Sequence, residues 1–250
     1  MSKPKVAFFD FASCEGDQLT VINLEEALLD VLEHVEIVSF REAMKEHSDN
    51  YDIAFIEGSC TRQADETRLE NIRKNAKVIV AIGACATSGG INALKNVRPL
   101  EQVRKEVYGA DWEKYDTYRA RGVDEVIKVD YKVYGCPMTK SEFVKVFKAL
   151  ITGSKPDIPN YPMCVDCKMA GNVCVFEKGL TCVGPITRAG CEACCVTEGA
   201  VCWGCRGLVD NPNIDAHKEV LEKYNLTVKE LQNRMNLYFT NELADKPEAK

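Results

Sequence analysis

Cysteine is the residue type in this 250-residue sequence whose number and spacing point most directly to chemistry. Nine of the 13 cysteines fall within residues 164–205, where few large apolar side chains are available to form a core. Such a segment is expected to fold around metal, because deprotonated thiols bind metal ions and the binding free energy then stabilises the fold. The nine follow the pattern Cys164-x2-Cys167-x6-Cys174-x7-Cys182, then Cys191-x2-Cys194-Cys195-x6-Cys202-x2-Cys205.

Three chemistries fit these C-x2-C pairs: iron–sulfur clusters, tetrahedral zinc and thiol chemistry. Two sites of four thiolates each would use eight of the nine cysteines, and the spacing is less regular than that of a compact zinc ribbon. The pattern also differs from the C-x2-C-x2-C-x3-C-P run of bacterial ferredoxins. Iron–sulfur clusters are therefore the favoured interpretation, and a zinc-stabilised interaction module stays an alternative.

The remaining four cysteines lie far apart in the sequence but occupy equivalent places. Cys14, Cys60 and Cys85 directly follow predicted strands, and Cys136 ends another. In an open parallel sheet the carboxyl ends of the strands lie along one edge, so we expect these cysteines to form a further metal site there. A nucleotide site is the rival for that edge, but the loop SCEGDQ at 13–18 lacks both glycine-rich phosphate-binding patterns.

Alternating apolar runs and helical patterns must position these residues. The apolar runs predict five strands, at 5–11, 35–40, 52–58, 76–83 and 125–135. Helical spacing predicts helices at 18–35, 62–75 and 139–151, a loose mixture of helix and loop over 92–124, and further helices within 206–250. This alternation is typical of a doubly wound α/β fold with a parallel sheet, and the proline-rich stretch at 151–163 predicts a connector after it.

The charge balance and the apolar pattern argue against several classes of partner. The chain has 38 acidic and 32 basic residues, a formal net charge of -6 and no long block of one sign, which disfavours nucleic acid and anionic membrane surfaces. No membrane span or secretion signal is recognised, so a cytoplasmic location is expected. Thiols stay reduced in that compartment, and the odd number of cysteines is therefore not interpreted as a disulfide framework.

Seven motifs together resemble the small, electron-transfer subunit of nickel–iron hydrogenases, over about residues 5–208. The motifs are FASCEGDQ, EGSC, GACATSGG, YGCP, PMCVDC, TCVGPITRAGC and CWGCRG. The resemblance is closest to the cytoplasmic group of sulfhydrogenase delta and methanogen G subunits. It implies a flavodoxin-like domain at 1–155 that holds a proximal cluster, and a cysteine-rich, mostly irregular iron–sulfur domain at 156–250 that holds medial and distal clusters.

The resemblance also implies three sets of 4Fe-4S ligands. The proximal set is Cys14, Asp17, Cys85 and Cys136. The distal set is Cys164, Cys167, Cys174 and Cys182, and the medial set is Cys191, Cys195, Cys202 and Cys205. Cys195 is preferred to Cys194 because relatives in this group space these ligands C-x3-C-x6-C-x2-C, which leaves Cys194 and Cys60 spare.

Cys164 stands at the first distal position, where the uptake enzymes of the family have a histidine. Cys195 stands in the medial set, which lacks one thiolate in those enzymes. Because extra thiolates add negative charge and depress a cluster's potential, we expect a low-potential electron acceptor. The implied partners are a nickel–iron large subunit and a flavin or iron–sulfur acceptor subunit linked to ferredoxin or NAD(P).

Asp17 stands where the family motif has a second cysteine, three residues after Cys14. A carboxylate keeps the ligand charge at -1 but exchanges a soft donor for a hard one, so a cluster with altered potential is expected. Two alternatives stay open, in which Cys60 takes the place of Asp17 or one iron has no protein ligand.

The resemblance therefore implies an electron-relay small subunit of a soluble nickel–iron hydrogenase whose catalytic site lies on a partner chain. An iron–sulfur redox sensor or scaffold protein, not coupled to a hydrogenase, is the alternative. Co-purification with a large subunit that bears two nickel-binding C-x2-C motifs would distinguish the two.

Overall fold

The computed structural model describes residues 3–226 and 228–243 and contains a five-stranded parallel sheet. The strands are β1 Lys5–Asp10, β2 Glu36–Phe40, β3 Ile53–Glu57, β4 Val78–Ile82 and β5 Tyr131–Val133. Their order, β2-β1-β3-β4-β5, is that of a flavodoxin-like doubly wound sheet. The predicted α/β fold with a parallel sheet is therefore confirmed.

Eleven helices accompany the sheet in the described residues. They are α1 Gly16–Ile22, α2 Glu26–His34, α3 Gln63–Asn75, α4 Gly83–Ser88, α5 Leu100–Tyr108, α6 Lys140–Ile151, α7 Cys164–Met169, α8 Cys194–Thr197, α9 Ile214–Lys223, α10 Val228–Tyr238 and α11 Thr240–Leu243. Four 3-10 segments lie at Gly90–Val97, Gly109–Lys114, Val123–Glu125 and Val175–Lys178. No helix in the described part of the chain is long and apolar enough to cross a membrane.

Both faces of the sheet are buried, which is why its strands appear in the sequence as apolar runs. On one face Phe8 and Phe55 stack, with 5.0 Å between ring centroids, and Phe143 and Phe147 of α6 pack on them. A second apolar cluster covers the opposite face, where α3 contributes Leu69. The two clusters hold the carboxyl ends of the strands in fixed relative positions.

The predicted helix at 18–35 is two helices in the structure. α1 ends at Ile22 and α2 begins at Glu26, because the intervening Glu25 has a φ of 55°, which interrupts the helical hydrogen bonding. The turn keeps Leu24 buried against the core. The apolar spacing continues across this break, and for that reason the sequence pattern did not reveal it.

The predicted strand at 125–135 is also shorter than expected, since only Tyr131–Val133 pairs with β4. Residues Val123–Glu125 form a 3-10 turn instead. Just before β5, the side chain of Asp130 bonds to β4 and to α3. Its carboxylate accepts hydrogen bonds from the Ile79 N–H (2.8 Å) and from Arg73 Nη1 (2.7 Å). The backbone N–H of Asp130 still donates to the carbonyl oxygen of Ile79 at 2.9 Å, so the side chain replaces only the strand carbonyl that would accept the Ile79 N–H.

The cysteine-rich segment packs on the α/β unit around Arg206, whose side chain is 1% exposed. Its guanidinium group makes two parallel bonds of 2.7 Å to the carboxylate of Glu142, which is 5% exposed and lies in α6. It also donates to the carbonyl oxygens of Ala189 and Tyr134, both at 2.6 Å. The boundary expected near residue 155 stays a prediction, and residues 244–250 of the expected helical tail lie outside the described residues.

Residues 238–242, which we name the C-terminal strap, return to the α/β unit. Asn241 donates hydrogen bonds to the carbonyl oxygens of Ser88 (3.0 Å) and Ala120 (2.9 Å). Phe239 is fully buried. Its ring atom Cζ lies only 2.4 Å from the position that a Cβ would take at Gly204, so the ring occupies the space of a side chain there. The strap therefore contacts the segment that follows Cys85 and the loop between two predicted medial ligands.

Replacing Arg206 by alanine should strongly destabilise the protein, because the carboxylate of Glu142 would be left buried and unpaired. The expected loss is about 3–5 kcal/mol, measured as a lower thermal midpoint of the anaerobically purified protein. Arg98→Ala is the control, since its ion pair with Glu106 is about half exposed and contributes about 0–1 kcal/mol. Equal shifts for the two variants would contradict this account of Arg206.

Candidate metal centres

The loops after β1, β4 and β5 bring the predicted proximal residues together at the carboxyl edge of the sheet. Cys85 lies in the first turn of α4, directly after β4, and its thiol is close enough to Cys136, Asp17 and Cys14 to feel their charges. Burial, followed by these neighbours, raises the pKa of Cys85 to about 12. Four residues from three separate loops thus form one group. Their role as ligands stays a prediction.

Asp17 is the residue of this group that the structure fixes in most detail. Its side chain is 6% exposed, and its Oδ1 accepts a 2.6 Å hydrogen bond from the N–H of Met138, next to the Cys136 loop. Its Oδ2 lies over Gly83 at the start of α4, where a Cβ would be only 1.8 Å away and φ is +80°. Burial raises the pKa of Asp17 to about 7. A carboxylate at this place therefore connects the loop of Cys14 with the loops of Cys85 and Cys136.

Glu57, at the end of β3, anchors the beginning of α1. Its carboxylate is 1% exposed and accepts hydrogen bonds from the N–H groups of Asp17 (3.1 Å) and Gln18 (2.9 Å). The first N–H groups of a helix have no partner within the helix, so a carboxylate at this end satisfies them. Burial raises the pKa of Glu57. Glu57 thereby fixes the backbone of Asp17.

Cys60 lies elsewhere, although it also follows a strand. Its backbone pairs with Arg121 in a short antiparallel bridge, with N···O distances of 3.0 Å in both directions. Its fully buried thiol lies 3.4 Å from the Tyr118 hydroxyl and 3.8 Å from Arg121 Nη2. This placement favours Asp17 over Cys60 as the fourth proximal ligand. The choice between the two stays a prediction.

Asn92 is a residue of the edge that the sequence analysis missed. Its amide nitrogen donates to the carbonyl oxygen of Ala12 (2.6 Å) and to Ser59 Oγ (2.9 Å), and it lies 3.9 Å from the sulfur of Cys85. One amide therefore joins the loops after β1, β3 and β4. Only its position shortly after GACATSGG could have suggested this role.

The four predicted distal cysteines line one apolar cavity. Its walls include Met163, Phe176 and Val196 together with the thiols of Cys164, Cys167, Cys174 and Cys182. Burial raises the pKa of Cys164 to about 12, and the next causes are the charges of Cys182, Cys167 and Cys174. A Cβ at Gly184 would lie 3.3 Å from the sulfur of Cys182 and 3.4 Å from that of Cys164. The absence of a side chain at 184 therefore keeps room between these two thiols.

The predicted medial cysteines form a looser group. Cys205 is partly buried, burial raises its pKa to about 12, and Cys191 is the thiol whose charge raises it most. The thiols of Cys194 and Cys195 are exposed and contact each other, and Cys191 is close to both. Both adjacent cysteines are thus within reach of the group, and Cys195 as the ligand stays a prediction.

Direct contacts join the three groups in a series. The backbone N–H of Cys136, in the proximal group, is a hydrogen-bond donor to the sulfur of Cys205 in the medial group. The thiols of Cys202 and Cys182 are hydrogen-bonded, and the N–H of Val183 donates to the carbonyl oxygen of Cys202 at 3.3 Å. The order of the groups is thus proximal, medial, distal.

The donor chemistry of these groups fits iron–sulfur clusters. Within residues 3–226 and 228–243, no three His, Cys, Asp or Glu side chains converge closely enough to hold a single metal ion. A 4Fe-4S cluster instead distributes four thiolates over four iron atoms, so its ligands lie farther apart. The distal cavity, lined by four thiols and apolar side chains, and the space left at Gly184 match that arrangement.

Comparisons with known proteins agree with the fold. Residues 14–150 match the family described as NADH ubiquinone oxidoreductase, 20 Kd subunit. The chain is 31% identical over 221 residues to the delta chain of sulfhydrogenase 2 of Pyrococcus furiosus, which covers 88% of this chain and 92% of that protein. It is 32% identical over 240 residues to the vhu G subunit of the F420-non-reducing hydrogenase of Methanococcus voltae, with 83% of each covered.

Solved structures show the same fold. A chain of an NAD+-reducing NiFe hydrogenase in the H2-reduced state superposes with a TM-score of 0.58 and 26% identity, over 63% of this chain and 96% of that one. A chain of the NiFeSe hydrogenase of Desulfovibrio vulgaris Hildenborough superposes with a TM-score of 0.52 over 86% of this chain and 97% of that one. Its identity of 19% supports the fold alone.

The fold and the thiol groups thus define an iron–sulfur subunit of an oxidoreductase. The chain belongs to the family of the 20 Kd subunit of NADH ubiquinone oxidoreductase, and within it to the group of sulfhydrogenase delta and F420-non-reducing hydrogenase G subunits.

Asp17→Cys should preserve the iron content and change the electron paramagnetic resonance spectrum and the potential of one cluster, because a soft donor replaces a hard one. Cys60→Ala should leave the iron content, the spectrum and the potential unchanged. An unaltered spectrum and potential in Asp17→Cys would contradict Asp17 as a ligand, and loss of iron in Cys60→Ala would favour Cys60 in its place.

Cys195→Ala and Cys194→Ala form a matched pair of neighbouring substitutions. The first should leave one iron of the medial cluster without a protein ligand and lower the iron content by at least about one atom per chain, and the second should leave the iron content unchanged. Iron analysis after anaerobic purification measures the difference. The reverse result would move the ligand assignment to Cys194.

Proposed function

We propose that this chain is the electron-relay small subunit of a nickel–iron hydrogenase, with three 4Fe-4S clusters between the large-subunit nickel–iron site and a low-potential acceptor. The observation that carries this proposal is the series of contacts from Cys136 to Cys205 and from Cys202 to Cys182. Each cluster, when bound, supplies a one-electron redox centre. The cytoplasmic location expected from the sequence stays part of this proposal.

The residues of the chain would bind and shield these centres and make no bonds to hydrogen. The proximal cluster is assigned to Cys14, Asp17, Cys85 and Cys136, the medial one to Cys191, Cys195, Cys202 and Cys205, and the distal one to Cys164, Cys167, Cys174 and Cys182. Burial excludes water most strongly at Cys182 and Cys202. Cys14 is exposed at the carboxyl edge of the sheet, which supports this face as the side toward the large subunit.

A full set of thiolates at the medial and distal sites supports a low-potential acceptor, because each thiolate adds negative charge and disfavours the reduced cluster. One relative, the delta subunit of the NAD-reducing hydrogenase HoxS of Cupriavidus necator, supports this direction. The acceptor subunit proposed here is accordingly a flavin or iron–sulfur protein linked to ferredoxin or NAD(P).

The iron and acid-labile sulfide content after anaerobic purification tests the number of clusters. About 12 of each per chain are expected from three four-iron clusters. About eight of each would mean that the proximal site is incomplete and that the relay does not reach a nickel–iron centre. Zinc in place of iron would support the zinc-stabilised module, and a full iron content without a co-purifying nickel-binding large subunit would support the redox sensor or scaffold.

A further inference from the structure

Tyr238 connects the C-terminal strap with the thiols of the predicted proximal and medial ligands. Its side chain is half-buried, and its hydroxyl group is a hydrogen-bond partner of the Cys136 thiol. Cys205 and Cys85 are also close enough to Tyr238 to act on it electrostatically. The phenol therefore stands where the first two of the three groups meet.

The strap residues that follow Tyr238 hold it in place. The next residue, Phe239, is fully buried against Gly204, and its N–H donates to the carbonyl oxygen of Met235 at 2.8 Å. Three positions after Tyr238, Asn241 is bonded to Ser88 and to Ala120. Two anchors thus follow Tyr238 directly, Phe239 on the medial loop and Asn241 on the segment after Cys85.

The direction of the hydrogen bond follows from the chemistry of the two groups. The ordinary pKa of a phenol is about 10, so the hydroxyl of Tyr238 keeps its proton near neutral pH and is the donor. A thiolate bound to iron has no proton and accepts. Hydrogen bonds to the sulfur atoms of a cluster stabilise its more negative, reduced form and raise its reduction potential.

We propose that Tyr238 is a positioning residue whose hydroxyl donates a hydrogen bond to the sulfur of Cys136 and raises the potential of the proximal cluster. The inference rests on the proposed function, because it assigns Cys136 to that cluster. Asp17 leaves the proximal group with three thiols, and Tyr238 acts on one of these from outside the ligand set. A higher potential of the proximal cluster changes the difference in potential between the proximal and medial clusters. That difference sets the direction of electron flow between them.

The test compares two substitutions in the anaerobically purified complex with its large subunit. Tyr238→Phe removes the hydroxyl and keeps the ring, and it should shift the midpoint potential of the proximal cluster to a more negative value with unchanged iron content. Tyr224→Phe is the matched control, because the ring of Tyr224 packs on Phe176, with 5.8 Å between centroids, and lies on the distal side. Redox titration followed by electron paramagnetic resonance measures both, and Asp17→Cys identifies which spectrum belongs to the proximal cluster.

A second substitution keeps the inference testable if Tyr238→Phe loses its clusters. Incorporation of 3-fluorotyrosine at position 238 provides a stronger donor of nearly the same size, and it should shift the proximal potential in the positive direction. Unchanged proximal potentials in a protein with all three clusters would overturn the inference alone, as would a shift confined to the medial cluster. An unmodified protein with about four iron atoms too few and no proximal spectrum would overturn the proposed function of that site as well.

Discussion

The buried ion pair between Arg206 and Glu142 fixes the cysteine-rich segment on the α/β unit. Arg206 directly follows Cys205, and Glu142 lies in the first turn of α6 on the opposite side of the contact. Taking two charges out of water costs several kcal/mol each, and only the paired geometry and the additional bonds to backbone carbonyls offset that cost. Such a pair tolerates little displacement. It therefore specifies one position of the cysteine-rich segment on the α/β unit, which an apolar contact of similar area would specify less strictly.

The same logic applies to the carboxyl edge of the sheet, where polar side chains hold the loops. Asn92 joins three loops through one amide, Glu57 fixes the first turn of α1, and Asp17 receives the N–H of Met138. All three side chains bond to backbone or to neighbouring loops of the chain itself. The protein's own contacts thus order the loops, and a cluster that binds there does not have to order them itself.

The parallel sheet and its edge could be predicted from the sequence, because strand periodicity is local and the carboxyl ends of parallel strands share one edge. That rule grouped Cys14 with Cys85 and Cys136. It also grouped Cys60 with them, where the structure places the thiol instead among Tyr118 and Arg121, since the backbone bridge to Arg121 joins residues 61 positions apart. The break at Glu25, the side-chain pairing of Asp130 and the role of Tyr238 were missed for a related reason. Each depends on a backbone angle or a distant partner that composition and periodicity do not record.

The contacts of the C-terminal strap form late, because its residues are among the last to be synthesised. Asn241 and Phe239 contact segments around Gly89 and Gly204, yet they are synthesised after every cysteine of the chain. Domains fold as their residues leave the ribosome, from the amino end onward. The sheet edge and the cysteine-rich loops therefore emerge before the residues that cover them. The contacts of Asn241 with Ser88 and of Phe239 with Gly204 can therefore form only after the last cysteine has been synthesised.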